Sequence, residues 1–178
     1  MTHHFRRLTL DDRHDYLALM LAAYAPIKAL GIHFDAATAD LARVTRHLTD
    51  HAVFALFDDQ RMVASVTLRF PWGVQPGPFN LPHIGWFGTH PEFRGKNLGG
   101  KLLSWLEQTV LLGELKAPAC SLGTAVSHPW LRDFYGRLGF VPMYTTDLGK
   151  GHITLYMKKV LDETQHARWL EQQPPTGV

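Results

Sequence analysis

A mixed α/β fold built on a mostly antiparallel sheet is predicted by three features of this 178-residue chain. Met62, Ala64, Val66, Leu68 and Phe70 alternate with Val63, Ser65, Thr67 and Arg69, after an apolar stretch from His51 to Phe57 and a polar turn at Asp58-Asp59-Gln60-Arg61. Period two on either side of a polar turn is the pattern of an antiparallel hairpin. Leu17, Met20, Leu21 and Tyr24, and later Leu131, Phe134, Tyr135 and Leu138, recur at i, i+3, i+4 and i+7, the spacing of one helix face. The third feature is a glycine-rich junction, Arg94 to Gly100, that leads from an apolar strand into a long helix.

The elements follow in order. Phe5 to Leu10 reads as a short strand, and Asp11 or Asp12 as the cap of the first helix, which Pro26 and Gly31 are expected to break. Leu41, Val44 and Leu48 mark a second, shorter helix before the hairpin. Residues 71–82 hold Pro71, Pro76, Pro78 and Pro82 with Gly73 and Gly77, and form a loop. His83 to Thr89 is a fourth strand. Leu98, Leu102, Leu103, Leu106 and Val110 then stripe a long helix whose wet side carries Lys101, Ser104, Glu107 and Gln108. Pro118 to Val126 reads as a buried strand, and Pro129 suits the first turn of a helix that stops at Gly139. Val141–Leu148 and His152–Val160 close the sheet as a hairpin over Gly149-Lys150-Gly151. One domain over 1–161 is expected, with 162–178 as a C-terminal helix or frayed tail ending Gln172-Gln173-Pro174-Pro175-Thr176-Gly177-Val178.

Composition narrows the function. Eighteen lysines and arginines against 16 acidic residues leave a formal charge of +2, too little for an electrostatic nucleic-acid footprint. No apolar run has the length of a membrane helix or signal peptide, so no membrane partner is expected. The single cysteine, Cys120, excludes an internal disulfide and fits a cytoplasmic protein. The histidines show no i, i+4 pair with a third ligand, so no metal is expected.

In the segment Arg94-Gly95-Lys96-Asn97-Leu98-Gly99-Gly100, backbone N–H groups and the positive end of a helix can converge on an anion. Gly95 through Lys101 fits the G-x-x-x-x-G-K spacing of a nucleotide-binding loop, but Leu102 stands where the magnesium-holding Ser or Thr would be. No later apolar strand ends in the carboxylate that such a site also needs. The stretch Gly88-Thr89-His90-Pro91-Glu92-Phe93-Arg94-Gly95-Lys96-Asn97-Leu98-Gly99-Gly100-Lys101-Leu102-Leu103 instead resembles motif A of the GNAT superfamily of N-acetyltransferases, Arg/Gln-x-x-Gly-x-Gly/Ala. Arg94 and Gly99 fit it, and Asn97 occupies the first glycine position, where its tolerance of left-handed backbone is an acceptable substitute. Phe134-Tyr135-Gly136-Arg137-Leu138-Gly139-Phe140 resembles the family's motif B, and the element order resembles the GNAT fold over about residues 5 to 160.

The resemblance implies acetyl-CoA as co-substrate. Its pyrophosphate would lie on the amides of Arg94, Gly95, Lys96, Asn97, Leu98, Gly99 and Gly100, and its pantetheine arm along Phe87, Gly88 and Thr89, where Gly88 would leave room. His128 stands where family members often carry an Asn that contacts the CoA arm. Direct acetyl transfer needs a neutral amine, a donor to the carbonyl oxygen and an acid for the leaving thiolate. Tyr135 holds the position of the family's general acid, and the same ring also extends the Leu131/Phe134/Leu138 core stripe. The carboxylate that many members place early in the fourth strand is missing from His83-Ile84-Gly85-Trp86-Phe87, which leaves His83 as candidate base, with a water chain or His128 as alternatives.

Candidate acceptor contacts are Tyr24, His33, Phe34, Trp86 and Tyr144, an aromatic and nearly uncharged set that suits a small uncharged or amphipathic primary amine better than a polyamine. Acetylation of a protein N-terminus or lysine, and a non-catalytic acyl-CoA-binding module, stand as alternatives. Members of the family often form homodimers, which the resemblance leaves open for this chain.

Overall fold

A computed structural model describes residues 2–175. The chain runs β1 (His3–Arg7), α1 (Arg13–Ala29), α2 (Leu41–Asp50), β2 (Ala52–Asp58), β3 (Arg61–Arg69), β4 (His83–Thr89), α3 (Leu98–Trp105), β5 (Ala119–Ala125), α4 (Pro129–Arg137), β6 (Val141–Asp147), β7 (Ile153–Val160) and α5 (Glu163–Gln172). The strands form one seven-stranded sheet in the order β1-β2-β3-β4-β5-β7-β6, antiparallel throughout except for the parallel β4/β5 pair. This is the expected mixed, mostly antiparallel architecture.

Both faces of the sheet are covered, and the alternation along β2 and β3 sorts side chains between two cores. Val66 and Leu68 belong to the larger one, with Leu102, Leu106 and Leu111 from the long third helix. Val53 and Ala55 belong to the other, with Tyr16, Met20 and Ala23 of α1 and Val44 of α2. Ser65 and Thr67, the polar residues of the alternation, are fully buried on the second face rather than wet.

Several boundaries depart from expectation. Pro26 does not break α1; it sits inside the last turn, where the ring costs one backbone bond while Met20, Ala23 and Tyr24 hold the buried face. The stop is Gly31, at φ +80°, whose N–H returns to the Lys28 carbonyl at 3.0 Å. Asp12 stands at the N-cap of α1, but its side-chain bond lies one turn earlier: Thr9 opens a 3₁₀ turn ahead of α1 as a capping box, its hydroxyl accepting from Asp11 N–H while Asp12 accepts from Thr9 N–H at 2.8 Å. The third helix does not stay regular. Beyond Trp105 it widens into π-helical turns over Leu106–Glu114, closed by Leu115 N–H on Val110 O at 2.9 Å. Most of the tail is ordered as α5, whose first turn is capped by Asp162 accepting from Gln165 N–H at 2.9 Å. Thr176, Gly177 and Val178, the end of the expected tail, lie outside the described residues.

Candidate active site

β4 and β5 pair through only two residue couples, His83 with Ser121 and Ile84 with Leu122. Beyond them the strands part, and a cavity of about 890 Å³ opens between the remainder of β4 and the Gly123-Thr124 end of β5. Its floor is β4 backbone that has no ladder partner from β5 beyond those two couples, an edge of the kind on which an extended molecule can pair.

β4 is also deformed where it borders the cavity. Ser65 pairs with Gly88 and Thr67 with Gly85, so Val66 of β3 stands opposite two residues, Trp86 and Phe87. Such a bulge re-aims the groups it carries. Trp86 takes φ +42°, a left-handed conformation that an aromatic residue adopts only under constraint. The constraint is visible. Its ring stacks on His47 at 3.8 Å between centroids, and the Arg43 guanidinium lies over its face at 5.2 Å. On the other side of the bulge the Tyr24 hydroxyl donates to the Phe87 carbonyl at 3.0 Å. Tyr24→Phe removes this tether and leaves the ring in place; an expected loss of about 0.5–1.5 kcal/mol would be read in urea unfolding, with unchanged stability sinking the tether.

The glycine-rich junction turns sharply into a helix, as expected. Gly95 at φ +79° and Asn97 at φ +55° are both left-handed, which turns the chain into the start of α3. Asn97 thus adopts the conformation expected of the residue replacing a glycine. A β-carbon on Gly99 would meet Phe87 Cζ at 2.9 Å and Thr89 Oγ1 at 3.0 Å, so the loop sits directly against β4. Of this loop, Arg94 lines the cavity. Leu102 is fully buried in the core. The reason for Gly88 differs from expectation: a β-carbon there would come within 2.8 Å of Ala23 Cβ. The space it frees is taken by α1, not left for a ligand.

Tyr135, on α4, lines the same cavity as Phe87, Gly88 and Thr89. It is half-buried against Phe134 and Phe140, with centroids 5.2 and 6.0 Å away, and burial raises its phenol well above the usual range. It therefore carries its proton at any physiological pH. His83 is buried at the start of β4, its Nδ1 2.8 Å from Ser121 Oγ across the paired couple. Burial, and then the charge of Arg69, lower its pKa to about 3. Phe34 and Trp86 also line the cavity, whereas His33, His128 and Tyr144 do not. Tyr144 is exposed on β6 and packs on Phe79 and Tyr156, and His33 lies beside Gly151.

The charged lining is what the sequence reading missed. Arg43, Arg69, Arg94, Arg137 and Lys150 line the cavity against one carboxylate, Asp35, so its lining is cationic rather than uncharged. Arg43 and Arg69 help to depress His47, which burial above all lowers to about 3. A signal for Arg69 was available: it continues the Ser65/Thr67 face, which turns inward. For Arg43, on α2, no local pattern exists.

Comparison with known proteins places this geometry. The acetyltransferase (GNAT) family profile matches residues 20–140. The chain is 51% identical over 156 residues to S-(2-succino)cysteine N-acetyltransferase of Bacillus subtilis strain 168, covering 87% of this chain and 94% of that one. It is 38% identical over 158 residues to S-alkylcysteine N-acetyltransferase of the same organism, with 88% of each chain covered. Among solved structures it superposes on the PaiA N-acetyltransferase of Thermoplasma acidophilum in complex with coenzyme A, with a TM-score of 0.68, 18% identity, and 90% of this chain and 99% of that one covered. The chain belongs to the acetyltransferase (GNAT) family. Its reaction is acetyl-CoA-dependent acetyl transfer to an amine. Among the described residues, no helix is long and apolar enough to cross a membrane.

Proposed function

We propose that the amine belongs to a small S-substituted cysteine of the S-(2-succino)cysteine type. The observation that carries this reading is the 51% identity to an enzyme with that acceptor. The sign of the cavity supports it. S-(2-succino)cysteine bears three carboxylates and one ammonium, and Arg43, Arg69 and Lys150 suit such an anion while disfavouring a polyamine.

Acetyl-CoA supplies an activated thioester when bound. The chain's own residues do the rest. Arg94 and the amides up to Gly100 suit the pyrophosphate, since two left-handed residues lead into the N-terminal end of α3, where backbone N–H groups lack intrahelical partners. Backbone N–H groups of the bulge around Phe87 and Gly88 suit the carbonyl oxygen as negative charge develops on it. The amine nitrogen bonds to the carbonyl carbon, the carbon–sulfur bond breaks, and the Tyr135 hydroxyl gives its proton to the departing sulfur. A base is needed for the ammonium proton. With a pKa of about 3, His83 takes up no proton near neutrality, so we assign that step to water in the cavity and give His83 a structural part through Ser121.

The test is product formation by mass spectrometry from acetyl-CoA with S-(2-succino)cysteine, S-methylcysteine, spermidine or a lysine-containing peptide. Acetylation of the two thioether amino acids in preference to the others is expected. Acetylation of the peptide alone would transfer the assignment to protein acetylation.

A further inference from the structure

Arg69 ends β3, directly opposite His83 in the register, and its side chain lines the cavity. Its Nε is buried without a hydrogen-bond partner, and among the described residues no carboxylate oxygen comes within salt-bridge distance of it. A guanidinium presents five donors in a fixed fork and is costly to hold away from water unpaired. The groups that face it do not satisfy it. His47, His51 and His83 are neutral or depressed by its charge, and Tyr156 and Asp35 are felt only through space. Arg43 differs, because its charge is already shared between the Trp86 ring and Asp35 at 3.7 Å. An inward, unpaired, forked cation in a ligand cavity calls for an anion from the ligand.

Its position selects which one. Along β4, His83 is four residues from Phe87, which at strand spacing is about 13 Å. An arginine side chain is long enough to cover part of that distance. The α-carboxylate of a cysteine derivative shares a carbon with the reacting amine and stays close to the bulge, whereas the outer carboxylate of a succinyl group lies six bonds further along the thioether. We infer that Arg69 is the specificity-determining residue that binds a carboxylate on the sulfur substituent of the acceptor, so that the enzyme prefers thioether amino acids with an acidic S-substituent to those with an alkyl one. The inference rests on the proposed acceptor.

The experiment compares wild type, Arg69→Gln and Arg69→Lys on S-(2-succino)cysteine and S-methylcysteine, which share the α-amine and α-carboxylate and differ in the substituent. For Arg69→Gln, KM for S-(2-succino)cysteine should rise roughly tenfold or more and KM for S-methylcysteine by less than about threefold, with Arg69→Lys between. Equal losses on both substrates, or none on either, would overturn the inference. Thermal unfolding with succinate alone as probe separates this inference from the acceptor assignment. Wild type should be stabilised by succinate and Arg69→Gln should not, while the free variant should melt no lower than wild type because an unpaired cation has been removed. If wild type acetylates neither thioether amino acid, the proposed function falls. The carboxylate site then stands if succinate protects wild type alone, and falls if it protects both or neither.

Discussion

Tyr135→Phe is expected to lower kcat by about 10²- to 10⁴-fold, the usual worth of a positioned general acid. The hydroxyl is the only atom removed, and the ring keeps its contacts with Phe134 and Phe140, so folding should be unaffected. The thiolate would then have to leave unprotonated or take its proton from water, which a half-buried site supplies poorly. Acetyl-CoA affinity, measured by calorimetry, should stay within about threefold, because no transition-state charge is involved in binding. A kcat within about threefold of wild type would remove Tyr135 from the chemistry and leave its ring to the core of α4.

Acid should unfold this protein through its buried histidines before its carboxylates matter. His47 and His83 have folded pKa values of about 3 against an ordinary 6.5, chiefly because burial disfavours the imidazolium. The folded state therefore favours the neutral rings. Above pH 6.5 neither state binds the proton and nothing changes; from 6.5 down towards 3 only the unfolded chain binds it, and stability falls. At pH 5 the two together would cost roughly 4 kcal/mol, or roughly 10 °C of melting temperature in a chain of this size. Asp12, held down by its hydrogen bond from Arg6, acts only below the ordinary carboxylate range. Melting curves at pH 7 and pH 5 check this. The drop should be marked in wild type and reduced in His47→Gln and His83→Gln; a wild-type melting point unchanged between the two would refute it.

What was legible in the sequence was whatever depends on neighbours along the chain. The alternation from Met62 to Phe70 gave the hairpin, and the apolar stripes gave α1, α2, α3 and α4. Asn97 could be placed in left-handed backbone because the motif demands it at that position and the side chain permits it. Two kinds of feature were not legible. Pro26 was read by its usual effect, but tertiary burial of the helix face outweighs one lost backbone bond. The bulge at Trp86 leaves no local mark, since its cause is a ring stacked on His47 from another element. The same holds for the cationic lining of the cavity. Arg43 and Arg69 are 26 positions apart in sequence and meet only because α2 packs over the end of β3. Of the aromatic residues that dominated the acceptor reading, Tyr24, Phe34 and Trp86 line the cavity, but they said nothing of charge.

The short pairing of β4 with β5 has a mechanical consequence. The sheet amounts to two plates, one of four strands and one of three, riveted at a single corner by two residue couples and the 2.8 Å bond from His83 to Ser121. The plates are kept at one angle by a shared core, in which Leu122, Leu155 and Met157 of one pack with Val66, Leu68 and Ile84 of the other. The wedge beside the bulge is thus held open three to four residues away, by side chains that need never touch either substrate.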